Sequence, residues 1–160
     1  MRYFFEISYD GTNYHGWQKQ PNSNTIQETI ENCLSTIAKQ KIDIVGAGRT
    51  DSGVHAREMI AHFDFNDNID LIKLSHQLNS FLPNDIAIDN IFTVKKDSHA
   101  RFSAISRSYD YIISCKKNPL LINRVYQLNT KLDIDQLNYA SSFLFEHNNF
   151  KSFSKSRSDV

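Results

Sequence analysis

Arg49, Thr50 and Asp51 stand in the stretch GAGRTDSGVHA, residues 46 to 56, with Gly46 and Gly48 ahead of them and Gly53 behind. A carboxylic acid with a reference pKa of about 3.9 is ionised near neutrality, so an Asp in such a loop can act as a nucleophile or base without prior activation. A guanidinium two positions away favours that charged form. The plainer reading of the same pair is that Asp51 caps the turn while Arg49 makes a surface ion pair. Other chemistries fit the spacing poorly. A phosphate-binding P-loop needs Lys and then Ser or Thr after its last glycine, and here Val54 and His55 follow Gly53. The dinucleotide fingerprint fails as well, because the spacing is GxGxxxxG and a strand pattern follows it. Asp51, Ser52 and His55 carry the letters of a hydrolase triad, but residues this close in sequence rarely face one another and there is no GxSxG elbow. Asp51, His55 and His62 make a weak metal set, since lone histidines beside strands are more often core or surface residues.

The elements that must hold this loop follow from periodicity. Residues 3 to 9, YFFEISY, alternate Tyr3, Phe5, Ile7 and Tyr9 against Phe4, Glu6 and Ser8, a strand pattern. The period then changes: Ile26, Ile30, Cys33, Leu34, Ile37 and Ala38 line one helical face, with Asn24 and Gln27 placed as a capping box. A short strand is expected at 42 to 45, and a longer one after the loop, with Met59, Ala61, Phe63 and Phe65 on one side. Asp70 is placed to cap a second helix with Leu71, Leu74, Ser75, Leu78 and Leu82 inward; Pro83, Asn84 and Asp85 stop it, and IAIDNIFTV supplies a fourth strand. The expected class is α+β, a ferredoxin-like β-α-β-β-α-β unit over residues 1 to 95. Residues 96 to 160 then read as the start of a second, incomplete α/β unit: SRSYDYIIS as a strand, KKNPLLINR as a loop, and a helix carrying Ile134, Leu137, Ser141, Leu144 and Phe145 behind an acidic cap. The last ten residues, KSFSKSRSDV, are polar and aperiodic.

With 160 residues, 40% apolar and 22% charged, the chain is long enough to build a core without staples. Cys33 and Cys115 form no CxxC pair, so neither a disulfide framework nor a zinc site is indicated. The start lacks a secretion signal and no segment has the length and apolarity of a membrane span, which makes the cytoplasm the expected location and a membrane partner unexpected. Net charge is zero, yet residues 95 to 124 hold seven Lys or Arg against Asp97 and Asp110, a local +5 that leaves −5 elsewhere. Such a segment suits a localised polyanion site, or a solvated charged face.

GRTDSGVHA, together with YDGTNYHGWQKQ upstream and HARFSAISRSYDYII and HNNFKSFSK downstream, closely resembles the tRNA pseudouridine(38-40) synthases, the TruA type of pseudouridine synthase. The motifs occur in the family's order along essentially the whole chain. The resemblance implies isomerisation of uridine in the anticodon stem-loop of tRNA, with no cofactor and no metal. It places the catalytic Asp on Asp51, attacking C6 of a flipped-out uracil or C1′ of its sugar. Arg49 falls on the residue that enters the RNA helix to hold the base out, and Tyr109 on the residue that stacks beside the target uracil. His99, Arg101 and Phe102 of the SHARF segment fall on its RNA-contact stretch. Trp17 and Lys19 also match a family motif, Trp17 as packing. Tyr109, Tyr111 and Ile113 share a face of the expected strand, and Tyr111 is the ring assigned to core there. The family's chains are longer, work as homodimers that clamp tRNA, and complete the sheet with residues beyond this length. A non-catalytic domain that binds structured RNA is the alternative function.

Overall fold

The computed structural model describes residues 1–66 and 68–153. Contacts divide the chain into two units, residues 1–110 and 111–160. The boundary drawn from periodicity, near 95, falls short of this division because residues 96–110 are tied to the first unit: Ala100 is buried, and Arg107 bonds the backbone of Ala47.

The first unit is an antiparallel sheet with two helices. β1 (Arg2–Tyr9), β2 (Val45–Gly46), β3 (Ala56–Asp64) and β4 (Ile86–Val94) align in the order β2-β3-β1-β4, with α1 (Ile26–Ala38) between β1 and β2 and α2 (Leu71–Phe81) between β3 and β4. The alternation in β1 does what its period dictates. Tyr3, Phe5, Ile7 and Tyr9 are buried; Tyr3 and Phe5 stack on Phe63 of β3 with ring centroids 5.2 and 4.6 Å apart. Register pairs Phe5 with Ala61 and Ile7 with Met59 on one side, and Phe5 with Ile91 and Ile7 with Ile88 on the other. Ile26, Ile30 and Leu34 of α1, and Leu74, Leu78 and Leu82 of α2 and its cap, join the same core.

Asp70 caps α2 as expected, its carboxylate accepting from Lys73 N. The start of α1 differs by one residue. Thr25 is the cap, fully buried, with its hydroxyl accepting from Glu28 N. Gln27 is thereby released from a capping role: its side chain donates to Ile44 O and Glu31 and accepts from Lys19 N.

The strand expected at 42–45 is displaced to Val45–Gly46. Ile42 and Ile44 are buried as a strand pattern requires, but α1 takes their backbone groups. Ser35 Oγ accepts from Ile42 N, and Glu31 Oε1 accepts from Ile44 N, both near 3 Å. A backbone group satisfied by a side chain has no need of a ladder partner.

SRSYDYIIS, residues 106–114, runs across the division between the units and does not form the expected long strand. Only β5 (Ile113–Ser114) pairs, in parallel with β6 (Tyr126–Gln127). Tyr111, assigned to core from the alternation, is 77% exposed. An alternating pattern is realised only where a neighbouring strand is available, and the described pairing reaches no further back than Ile112, whose carbonyl accepts from Tyr126 N at 2.8 Å. α3 (Ile134–Ser142) forms behind its Asp133 cap, yet Ile134, Leu137, Leu144 and Phe145 are all exposed among the described residues. Seven residues of the polar tail, 154–160, lie outside the described residues. Among the described residues, no helix is long and apolar enough to cross a membrane.

Candidate active site

The loop between β2 and β3 lies backbone against backbone on the segment that follows β1. Trp17 N donates to Thr50 O at 3.1 Å, Gly53 N to Tyr14 O at 3.3 Å, and Ser52 Oγ to Tyr14 O at 3.1 Å. Two glycines permit the approach. Gly16 has φ +85°, and a Cβ there would sit 2.2 Å from Thr50 O; a Cβ on Gly46 would enter the indole of Trp17 at 2.5 Å. Trp17 is accordingly buried packing. Gly16→Ala is expected to destabilise the protein by roughly 1–3 kcal/mol through clash and left-handed strain. Gly48→Ala is the control, because a Cβ there meets only the Arg107 side chain at 3.5 Å, an ordinary contact. Urea titrations of the two variants check this, and equal midpoints would remove the close approach as the reason for the glycine.

Thr50 is the fixed point of the loop. Its carbonyl is held by Trp17, and its hydroxyl shares a hydrogen bond of 3.1 Å with the Tyr9 phenol. Burial pushes the Tyr9 phenol up, the Thr50 hydroxyl moderates this, and the Tyr109 phenol is near enough to push it further. Arg49 and Asp51, on either side of Thr50, are exposed. Among the described residues, neither side chain has a hydrogen-bond or ion-pair partner. Asp51 therefore does not cap its turn and Arg49 makes no surface pair with it; the turn is closed by backbone alone, Val54 N to Asp51 O at 3.3 Å.

The residues that would make other chemistries are committed elsewhere. His55 lies against Asp10 Oδ1 and Gly11 N, and Ser52 donates to Tyr14 O, so no Asp-His-Ser relay assembles. His62 is buried in β3, its Nδ1 accepting from Ala100 N at 3.2 Å. Asp51, His55 and His62 are thus not brought together as ligands.

His62 belongs to the system that holds the SHARF turn. Arg2 grips Asp64 with two hydrogen bonds of 2.9 and 2.7 Å and donates to Ser98 O at 2.8 Å. This bond to Arg2 holds the Asp64 carboxyl below its usual range. His99 packs its edge on His62 at 4.7 Å and its ring on Phe102 at 4.4 Å. Its Nδ1 accepts from Arg101 N and Phe102 N, so His99 is the organiser of the turn. Phe102 is 75% exposed, with the Arg101 guanidinium 5.6 Å from its ring centre. A cation over an exposed aromatic face offers both a charge to phosphate and a surface for a base.

Burial, then the charges of Arg2 and His99, push the His62 pKa down from 6.5 to about 4. The neutral ring is the form the fold uses, because its Nδ1 is an acceptor. Between pH 6.5 and 4 the unfolded chain binds a proton that the folded chain refuses, so stability is complete above 6.5 and falls as pH drops toward 4. The loss is at most about 3 kcal/mol. Urea titrations at pH 7, 5 and 4 should show it, and His62→Asn, which keeps an acceptor without a titrating ring, should remove it. An unchanged slope in that variant would assign the acid sensitivity to another group.

Arg107 is the residue sequence reasoning passed over, counted only as one charge of a basic run. Its Nε and Nη2 donate to Ala47 O at 3.0 and 2.6 Å, and Nη2 donates to Arg101 O at 2.7 Å. Both acceptors are backbone carbonyls, so no side-chain pattern could have announced the contact.

Arg49, Asp51, Arg101, Phe102 and Tyr109 therefore sit on segments tied to one loop, Arg101 half-buried and the other four exposed, with a local excess of positive charge. The family described as tRNA pseudouridine synthase matches residues 7–103. The chain belongs to that family. It is 45% identical over 160 residues to tRNA pseudouridine synthase A of Bacteroides thetaiotaomicron, covering all of this chain and 60% of that protein. It is 48% identical to tRNA pseudouridine synthase A of Parabacteroides distasonis, covering 99% of this chain and 64% of that one. With the protein of the same name from Acetivibrio thermocellus it shares 42% identity over 156 residues, 96% of this chain and 64% of the relative. The chain thus spans about 60–64% of the length of these tRNA pseudouridine synthases. The matched region contains the Asp51 loop and the SHARF turn and stops short of Arg107 and Tyr109.

Proposed function

We propose that the protein isomerises uridine to pseudouridine in the anticodon stem-loop of tRNA, with Asp51 as nucleophile. The observation that carries this reading is an exposed carboxylate with no intramolecular partner among the described residues, on a loop fixed from beneath by Thr50, in a chain of this family. A side chain held ready but unused within the protein is free to meet a substrate. Asp51 attacks C6 of the uracil or C1′ of the ribose, and the N1–C1′ bond breaks. The base turns and C5 bonds to C1′, displacing Asp51 where it was held on C1′; where it was held on C6, the C6–O bond breaks after C5 has joined C1′, so the carboxylate is regenerated either way. The C5 hydrogen leaves as a proton and N1 takes up a proton, so no oxidant or reductant is needed. Reaching the glycosidic bond requires the base out of its stack, at a cost of a few kcal/mol. Arg49, exposed beside the nucleophile, fills the space the base leaves. Tyr109, 73% exposed and close to Tyr9, stacks on the extruded uracil. Arg101 and Phe102 contact the RNA, His99 shaping their turn. On the same reading the first unit, with its β2-β3-β1-β4 sheet and two crossing helices, is ferredoxin-like.

The experiment is release of tritium from tRNA labelled at C5 of uridine, made with the 160-residue chain and with the full open reading frame that carries it. Isomerisation obliges C5 to lose its label. Release by the product of the full open reading frame supports the reading, whereas tight tRNA binding with no release from any tRNA assigns a non-catalytic RNA-binding role.

A further inference from the structure

The Asp51 loop and the segment that carries Tyr109 come from parts of the chain far apart in sequence, yet one reaction needs their side chains at a fixed spacing. Ala47 is held from two sides. Its N–H donates to Ile60 O of β3 at 2.7 Å, and its carbonyl receives Nε and Nη2 of Arg107 at 3.0 and 2.6 Å. Two residues beyond Ala47 lies Arg49 and four beyond lies Asp51; two residues beyond Arg107 lies Tyr109. The same guanidinium reaches Arg101 O at 2.7 Å, at the centre of the turn that presents Phe102. A planar, always-charged fork with donors in fixed directions can hold two carbonyls at one separation, which a flexible ammonium cannot. An arginine serving only as a phosphate contact would keep those donors for RNA; here Nε and Nη2 are committed within the protein.

We infer that Arg107 is a positioning residue that sets the spacing between Asp51, Tyr109 and the RNA-contact turn. This rests on the function proposed above, and it adds a part to that site. Arg107 does not touch the reacting atoms, so its loss affects turnover more than tRNA affinity, because misplacement by about 1 Å is enough to lose roughly a hundredfold in rate.

The test uses the full open reading frame, with tritium release for kcat and KM, filter binding for tRNA affinity, and hydrogen exchange read by mass spectrometry. Wild-type release, lost in Asp51→Asn, is read first, and its absence overturns the proposed function and the inference together. With that release in hand, Arg107→Ala and Arg107→Lys are expected to lower kcat at least tenfold while tRNA affinity stays within threefold. Exchange should quicken in residues 47–51 and 101–109 with the sheet unchanged, and added guanidinium at millimolar concentration should restore part of the rate to Arg107→Ala. Wild-type kcat in Arg107→Ala overturns the inference. So does weakened binding with unchanged kcat, which makes Arg107 a phosphate contact, and so does loss of sheet protection in Arg107→Lys, which makes it a residue of the fold.

Discussion

Asp51→Asn is expected to lower turnover by at least about a thousandfold while tRNA binding stays within a few-fold of wild type. The amide keeps the size and most of the hydrogen-bonding shape of the carboxylate but cannot serve as an anionic nucleophile. Because no described residue bonds the Asp51 side chain, the substitution breaks nothing in the protein, and the turn stays closed by Val54 N and Asp51 O. A change in melting temperature should therefore be negligible. That separation is what distinguishes a catalytic Asp from a turn residue, whose loss would lower stability and RNA binding together. Parallel kinetics, filter binding and thermal melts check it. An Asn variant with near-normal turnover would leave the protein without its proposed nucleophile.

Glu31→Ala should be among the more damaging substitutions in the first unit, costing about 2–4 kcal/mol. Glu31 is buried on α1, and its Oε1 receives hydrogen bonds from Ile44 N and Gln27 Nε2, both at 3.0 Å. Lys19 stands 3.6 Å from the other oxygen, and Glu28 and Glu31 together raise the Lys19 ammonium above its usual range. Removing the carboxylate leaves the buried Ile44 N–H without an acceptor, a desolvation cost the apolar replacement does not return. Ile44 is two residues ahead of Gly46, so the entry to the Asp51 loop loosens with it. Glu31→Gln keeps one oxygen for Ile44 N and should be much the milder. Urea unfolding of the two variants measures the difference. Equal, small losses would mean that Ile44 N finds another acceptor.

The sequence revealed some parts of this protein more readily than others, for physical reasons. β1 was legible because alternation of Tyr3, Phe5, Ile7 and Tyr9 is a local property, and α2 because Asp70 and Pro83 mark both its ends. β2 was not, because Ser35, Gln27 and Glu31 satisfy the backbone of Ile42 and Ile44 from a helix, and a Glu on a helix ordinarily reads as solvent-facing. Tyr111 was misassigned because alternation says which residues share a face and nothing about what covers it. At the site, the glycines pointed to close backbone approach, and Gly11 against Val54 and Gly16 against Thr50 bear that out. The Asp51 motif was recognisable as a pattern of residues. The partners that fix it, Thr50 through Tyr9 and Ala47 through Arg107, are contacts between distant stretches, and in the Arg107 case made to carbonyls that every residue possesses.

The most direct measurement is of the product. Unmodified tRNA is incubated with the full open reading frame, or with its Asp51→Asn variant, and then digested, and its nucleosides are separated and placed by fragment. Conversion of uridine to pseudouridine in the anticodon stem-loop fragment by the Asp51 protein alone is the predicted result. Unchanged uridine with Asp51 present, or equal conversion with Asn in its place, would contradict the account.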